Sequence, residues 1–538
     1  MNRTKWSRLV AALALSGALV ACGDDDAPMT TADAGTDGGH VEEDAGHESD
    51  AGHEDHDAGS DAGTDAGTEE LPQPVVVPLS ATGHDRLYGV AYDSAGNIYA
   101  TGQIAVDETD FALVIAKFTP AGALDTSFDD DGIAQVNVAV GGGAGEVARG
   151  IVVQSSGRIV IAGTAESDPT IGADGDYRRA DTDVVLVGFT ADGEVDETFG
   201  TDGIARIDLN QGTRTEDSAG NDVLSGADTQ WSLSLASSDR LVVHGTQRAE
   251  GEDADGNPRS DSVFALLRLT ADGALDTTFG EGGKVTLDLV GDPATGNITA
   301  ERAGARLSAR SASVLPDGSI IGSGYLTSTL LVTAPATTQQ PVIYKVDADG
   351  ELDATFATTD VTTLPGVWHD LAVEPPLRAE AYGAALQGDR LVTMGYGPTN
   401  GAGSGTDIIS LRYAASGALD DTYGTDGATY VDVGGLADNG RAVLVLEDGR
   451  VVGLGGGRPA PDSGAEPEVD AVLVVLTEDG APDTSFAANG FRSYDLAGTD
   501  FFWGGALSPD GSTIAIVGIA GAEGDGDDDS VLFLFPVD

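Results

Sequence analysis

The phrase GALDTSF at 122–128 returns as GEVDETF at 193–199, GALDTTF at 273–279, GELDATF at 350–356, GALDDTY at 417–423 and GAPDTSF at 480–486. The shared pattern is G-x-x-D-x-[ST]-[FY], with Asp125, Asp196, Asp276, Asp353, Asp420 and Asp483 common to the six copies and successive aspartates 71, 80, 77, 67 and 63 residues apart. Such a period marks a fold that repeats one supersecondary unit. No 3.6-residue apolar period runs between the phrases. In the second unit RGIVVQS meets a turn at Ser156 and Gly157, and RIVIAGT follows. An acidic loop, DVVLVGF, a T-A-D-G turn, the aspartate phrase and GIARIDL complete it. Short apolar runs punctuated by Gly and Asp turns are strands joined by hairpins, so each unit reads as four strands. The six aspartates are read as structural: each is placed to close a side-chain turn onto the Ser or Thr two residues later. The aromatic residue that follows is expected to pack between units.

The two ends complete the count. After the sixth phrase a seventh unit begins with FWGGALSPDGSTIAIVGIA, continues with DSVLFLFPVD and stops after three strands. Before the first unit stands PVVVPLS at 74–80, matching the missing fourth strand in length and apolar character. Pro74 and Pro78 suit an outermost edge, where a missing N–H costs no ladder bond. The reading is therefore all-β: a seven-bladed β-propeller over 71–538, about 67 residues per blade, with the N-terminal strand closing the last blade.

The units resemble the delta-60 repeat, a β-propeller repeat of bacterial exported proteins. Its phrase runs V-Q-x-D-G-K-I-x-V-A-G, then D-F-A-L-x-R-Y-x-x-D-G-x-L-D-x-S-F-G. The counterparts are residues 154–163, residues 183–193 and the aspartate phrases, and the likeness extends over nearly all of 85–538. The fourth unit departs most, with Pro341 in place of the strand-opening Asp and Ala357 where Gly is usual. The resemblance implies a fold and export; it implies no reaction.

Upstream of 71 the composition changes twice. Arg3, Lys5 and Arg8 precede an apolar run of twelve residues at 9–20, short for a membrane span and suited to a signal-peptide core. Leu19-Val20-Ala21-Cys22 resembles a bacterial lipobox, implying cleavage after residue 21 and a diacylglycerol on the Cys22 sulfur. Gly23, not Asp, follows, so the inner-membrane retention signal of enteric bacteria is absent and residence in the cell envelope, at the outer membrane or cell surface, is expected. Cys22 is the sole cysteine, which excludes intrachain disulfides and thiolate clusters. Residues 22–70 then form a lipidated Cys and an Asp/Ala/Gly-rich tether with 11 Asp, 6 Glu and no Lys, Arg or aromatic residue. Such a segment cannot bury enough apolar area to offset its ordering entropy, and as a coil it spans roughly 40 Å. His40, His47, His53 and His56 sit within it and are read as solvated. Of the net charge of −62, −48 falls on residues 71–538. That charge excludes nucleic acid as a partner, since phosphates repel it, and leaves the lipid anchor as the membrane contact. The chain is expected to be a monomer.

Two kinds of candidate site stand out. Aligning the units on their first turn yields a column where each innermost strand begins: Tyr88, Arg149, Trp231, Arg310, Tyr382, Arg441 and Trp503. Its next neighbours are Gly89, Gly150, Ser232, Ser311, Gly383, Ala442 and Gly504, small residues suited to sheets converging on an axis. Alternating guanidinium forks and aromatic faces at a channel mouth suit an anionic sugar, a carboxylate or an acidic peptide, and equally suit a self-stacked plug. Acidic loops at 251–261 and 521–529 offer weak calcium candidates in Asp253, Asp255, Asp525 and Asp527, without EF-hand spacing. Nucleophile-elbow, zincin and P-loop motifs are absent, and His84, His244 and His369 are scattered through different units. No catalytic residue is assigned. The expected function is a non-catalytic binding or scaffolding module for protein or glycan; the alternative is a polysaccharide hydrolase or lyase acting at the channel mouth.

Overall fold

The computed structural model describes residues 72–538 except 81–82, 107–109, 139–145, 168–181, 210–212, 217–221, 226–227, 258, 260, 292–294, 298–305, 329–337, 357–378, 399–404, 460–467, 522–527 and 538. The leader, Cys22 and the tether lie outside the described residues. Seven antiparallel sheets follow one another along the chain. Blade 1 comprises Asp85–Tyr92, Ile98–Ala105, Phe111–Phe118 and Ile133–Val136; blade 2, Glu146–Val153, Ile159–Glu166, Thr182–Phe189 and Ile204–Ile207. Blade 3 comprises Thr229–Ala236, Arg240–Arg248, Ser262–Leu269 and Lys284–Leu287. Blade 4 shows Arg306–Val314, Ile320–Ser328 and Thr338–Val346; the stretch that would supply its fourth strand, 357–378, lies outside the described residues. Blade 5 is Glu380–Gln387, Arg390–Pro398, Thr406–Tyr413 and Ala428–Val431; blade 6, Asn439–Val445, Val451–Gly457, Asp470–Leu476 and Phe491–Tyr494. Blade 7 is Phe501–Leu507, Thr513–Ala520 and Asp529–Pro536. A separate hairpin, Thr213–Glu216 with Asp222–Ser225, is inserted between blades 2 and 3.

The ring closes as expected. Val75 pairs with Leu532 and Val76 with Val531, and the Val77 N–H donates to Ser530 O at 2.7 Å, so the N-terminal strand is the fourth strand of blade 7. The innermost strands contact one another in succession, and that of blade 7 contacts that of blade 1. The result is a seven-bladed propeller. Radial repetition of this kind leaves each blade only a short outer edge.

Buried apolar residues gather into seven clusters, each across one blade junction. The aromatic of the aspartate phrase supplies the wedge: Phe128 joins blades 1 and 2, Phe199 blades 2 and 3, Phe279 blades 3 and 4. Phe356, Tyr423 and Phe486 continue the series. The blade 7 to blade 1 junction has no such phrase, and Val77, Leu79, Leu532 and Leu534 fill it instead. The aspartate holds the turn behind each wedge. Asp196 Oδ1 accepts from the Thr198 N–H at 3.0 Å and its hydroxyl at 2.5 Å, while Oδ2 accepts from Arg158 Nε at 2.6 Å. Asp125, Asp276, Asp353, Asp420 and Asp483 each accept from the hydroxyl two residues on at 2.6 Å. These hydroxyls lower the pKa of Asp125 and Asp276 to about 2. The phrase-opening Gly273 has φ +83°, and the Phe199 ring would stand 2.8 Å from any Cβ there, so only glycine fits both the turn and the neighbouring wedge.

Candidate functional site

In every blade the pairing between innermost and second strand slips at one place. The slips fall between Leu87 and Gly89, Ala148 and Gly150, and Gln230 and Ser232. They recur between Ala309 and Ala312, Ala381 and Gly383, Gly440 and Ala442, and Phe502 and Gly504. The residue left unpaired is Tyr88, Arg149, Trp231, Arg310 (with Ser311), Tyr382, Arg441 or Trp503. A β-bulge re-aims the side chain it carries. Beneath it the small column lets neighbouring backbones touch: a Cβ on Gly504 would lie 2.4 Å from Tyr88 O, and one on Gly89 2.6 Å from Arg149 O.

The seven side chains form one closed circuit. The Arg149 guanidinium lies 5.6 Å from the Tyr88 ring centre and 4.5 Å from that of Trp231; Arg310 lies 3.9 Å from Trp231 and 4.2 Å from Tyr382. Arg441 lies 4.1 Å from Tyr382 and 4.5 Å from Trp503. Seven is odd, so strict alternation must fail once. It fails between two rings, Tyr88 and Trp503, whose centres are 5.1 Å apart at 80°, the favourable edge-to-face arrangement. Placing the defect between two cations would set like charges side by side.

Arg310 and Arg441 are not equivalent. Arg310 Nη2 donates to Glu380 Oε2 at 3.2 Å and to the Tyr382 hydroxyl at 3.1 Å, and the Tyr396 hydroxyl donates to the other Glu380 oxygen. The side chains of Arg310 and Glu380 are 2% and 0% exposed, a buried and neutralised pair. Arg441, 7% exposed, has Nε and Nη1 buried without a hydrogen-bond acceptor among the described residues.

A second column escaped the sequence reading. Three residues before the collar position stand Asp85, Glu146, Asp228, Asp438 and Asp500; blades 4 and 5 carry Leu307 and Ala379 there. These carboxylates are buried and clasp the loop beyond the fourth strand of the preceding blade. Glu146 accepts from the Val138 N–H at 2.6 Å, Asp228 from Leu209 at 2.6 Å and Asp438 from Val433 at 2.8 Å. Asp500 accepts from the Leu496 N–H at 2.6 Å, and Asp85 from Leu79 at 2.9 Å. Burial outweighs these donors and lifts Glu146 to about 8, Asp438 to about 7 and Asp500 to about 6. Their signal was a fixed offset of three from the collar.

The calcium candidates divide. Asp525 and Asp527 lie outside the described residues, as does His369. Asp253 uses its carboxylate on its own turn, accepting from the Asp255 and Asn257 N–H groups at 2.9 and 2.8 Å, and Asp255 is exposed beside it. Two other groups bring three carboxylate oxygens within 4.8 Å: Asp183, Asp208 and Asp228, and at the matching place in blade 5, Asp407, Asp432 and Asp438. Oxygen donors of this kind suit a hard cation. In blade 3 the corresponding Asp261 and Asp288 grip the fully buried Arg259, with Nη2 to Asp261 at 2.6 Å. His244 is structural. Its Nδ1–H donates to Ser311 O at 3.0 Å, its Nε2 accepts from the Tyr344 hydroxyl at 2.7 Å, and burial lowers its pKa to about 3.

The family profile described as "Domain of unknown function (DUF5122) beta-propeller" matches residues 239–279 and 315–356. These stretches lie in blades 3 and 4, where the match agrees with the β-propeller fold described above. No curated protein matches the chain. Among solved structures, the chain is similar to an alpha-L-arabinanase of Penicillium chrysogenum, at 12% identity, covering 77% of this chain and 99% of that one, TM-score 0.39. It is also similar to the beta-propeller domain of the Trilobed protease from Pyrococcus furiosus, at 8% identity, covering 85% and 95%, TM-score 0.39. An alpha-L-arabinofuranosidase of Fusarium graminearum has 14% identity, coverage of 75% and 98%, and TM-score 0.38. Likenesses this distant carry no argument about activity.

Proposed function

We propose that this chain is a delta-60-type envelope lipoprotein, anchored through Cys22 and holding its propeller on an acidic tether as a non-catalytic binding module for protein or glycan. The ligand site is the channel collar. One observation carries the reading: seven bulges aim one cation or one aromatic side chain each into a single closed circuit. A propeller needs no such circuit for closure, because the junction clusters and the N-terminal strand already supply it. Arginine and aromatic side chains at a concave mouth supply charge-assisted hydrogen bonds and flat apolar faces, with which anionic or sugar groups are recognised. Nothing in the collar pairs a nucleophile with a base, so binding without turnover is the favoured role; fold alone decides nothing here.

The test is a glycan-array and pull-down screen with residues 71–538, with and without calcium, followed by the Arg149→Ala/Arg441→Ala pair. Retained ligand lost in the double variant, with no product released, supports the reading. Release of cleaved sugar, abolished by the same pair, makes the chain a polysaccharide hydrolase or lyase. Absence of any ligand refutes both. Separately, Cys22→Ser moves the protein from the membrane to the soluble fraction if lipidation is the anchor.

A further inference from the structure

In blades 2 and 5 the hairpin between the first two strands opens on a glutamine that ties the blade to the next one. Gln154 Nε2 donates to Asp239 O at 3.0 Å and Ala271 O at 2.9 Å in blade 3. Gln387 Nε2 donates to Gly449 O at 2.7 Å and Glu478 O at 3.1 Å in blade 6. Gln387 Oε1 in turn accepts from Arg412 Nη1 at 2.9 Å, and that nitrogen also reaches Glu478 O at 2.7 Å. Two carbonyls and a guanidinium thus hold one primary amide. Blade 3 carries Ala236 at this place, smaller than the Asp93, Leu315, Leu446 or Ser508 of the remaining blades. The receiving residues are nonetheless retained. Gly318 and Ala348 of blade 4 occupy the turn positions of Gly449 and Glu478, and Arg268 the strand position of Arg412. Arg268 Nη1 donates to Ala348 O at 2.5 Å, as Arg412 does to Glu478 O. With Ala236, these three residues line a cavity of about 250 Å³.

The blade 3 turn is held open. Ser238 and Asp239 are non-glycine residues at φ +64° and +55°, and the Asp239 carboxylate accepts from the Ser155 N–H at 3.0 Å, which pins the turn to blade 2. A second cleft adjoins the cavity at Ala236, Ser237 and Gly318, with apolar walls of Leu235, Leu315 and Leu386. Both reach solvent, since Leu235 is 37% exposed and Ser237 and Ala348 are exposed. The lining selects among polar groups. Carbonyls take hydrogen bonds only from donors, so a carboxylate has nothing to offer them, and the exposed Asp317 and Asp349 repel it. Arg240 and Arg268 in the wall disfavour a cation. A primary amide donates and accepts at once, and it is the group that the chain itself uses in blades 2 and 5. There an apolar residue comes immediately before it, Val153 before Gln154 and Leu386 before Gln387. We propose that the cleft between blades 3 and 4 docks a partner protein segment bearing an apolar residue followed by glutamine. The amide takes the place left by Ala236, between Gly318, Ala348 and Arg268, and the apolar side chain enters the leucine-walled cleft. The site goes beyond the collar reading and is separate from it, because Ala236 ends the strand Thr229–Ala236 near whose start Trp231 stands.

The experiment titrates the full chain in detergent with acetyl-Leu-Gln-Gly N-methylamide, followed by ligand-observed NMR. Counterpart peptides carry Met, Glu or Lys in place of Gln. Neutral amide hydrogen bonds to the two carbonyls predict that the Gln peptide binds about tenfold tighter than the Met peptide. The Glu and Lys peptides bind no better than the Met peptide. Ala236→Gln supplies the amide from the chain itself, so it raises the melting temperature and abolishes the Gln preference. Leu235→Asp, on the exposed rim, weakens the Gln peptide and covers the case in which Ala236→Gln fails to fold. Equal binding of the Gln and Met peptides, tighter binding of the Glu or Lys peptide, or a Gln preference that survives in Ala236→Gln overturns the inference. So does unchanged binding in Leu235→Asp. No collar residue takes part, so such a failure leaves the collar reading to its own test.

Discussion

Arg310→Met and Arg441→Met remove the same side chain from the same position of two blades, and the structure assigns them different costs. Ring contacts nearly cancel in the comparison. Arg310 touches Trp231, Tyr382 and Tyr325 at 3.9, 4.2 and 4.8 Å; Arg441 touches Tyr382, Trp503 and Phe501 at 4.1, 4.5 and 5.2 Å. What remains is the pairing. Arg310→Met leaves the fully buried Glu380 facing an apolar group, and breaking a buried pair by removing one partner costs about 3–5 kcal/mol. Arg441→Met leaves no carboxylate behind and removes an incompletely compensated charge, so its effect is within about 1 kcal/mol of zero. The assay is urea unfolding followed by fluorescence and circular dichroism, with midpoints compared at common slope. Adding Glu380→Gln to Arg310→Met should recover about 2 kcal/mol, since the amide keeps the Tyr396 hydrogen bond without the charge. Equal losses for the two methionine variants, or full additivity in the Arg310 and Glu380 pair, would refute the division between a paired and an unpaired arginine.

Three further outcomes are expected. Phe199→Ala, which empties a fully buried wedge between blades 2 and 3, should lower stability by about 3–5 kcal/mol in the same assay, whereas Leu235→Ala on the exposed surface should cost under about 1. Glu146, Asp438 and Asp500 bind their protons more tightly folded than unfolded. Their stabilising contribution is therefore complete below the unfolded carboxylate range near 4 and is lost as pH rises toward about 8, 7 and 6 respectively. Stability should fall between pH 5 and 8, and Glu146→Gln should flatten that slope; a wild-type curve that rises over this window sinks the assignment. Deleting residues 72–79 exposes the Val531 and Leu532 edge that Val75 and Val76 cover, so concentration-dependent association should appear in light scattering.

The wedges and turns were legible because each unit repeats them in one phrase, and a residue that recurs with the unit must meet the same neighbours. The buried carboxylates were equally periodic yet escaped notice, because in a chain with 89 Asp and Glu an acid three places before Tyr88 or Trp503 does not stand out. The calcium reading looked to dense local runs. Among the described residues the converging oxygens come instead from scattered positions such as Asp183, Asp208 and Asp228, brought together only by strand and blade stacking.

From the sequence alone, the number of blades, their order and the closing role of residues 74–80 follow, because a strand short of partners has a single place left to pair. Membership of the collar follows too, since equivalent positions of equivalent strands share one radius. Tertiary structure decided that each collar residue rides a bulge, and that Arg310 is neutralised while Arg441 is not. Glu380 stands 70 residues beyond Arg310, two places before the collar position of its own strand instead of three. Periodicity specifies which column a side chain belongs to; the partner it meets in the next blade depends on stagger and side-chain reach, which a repeat pattern does not encode.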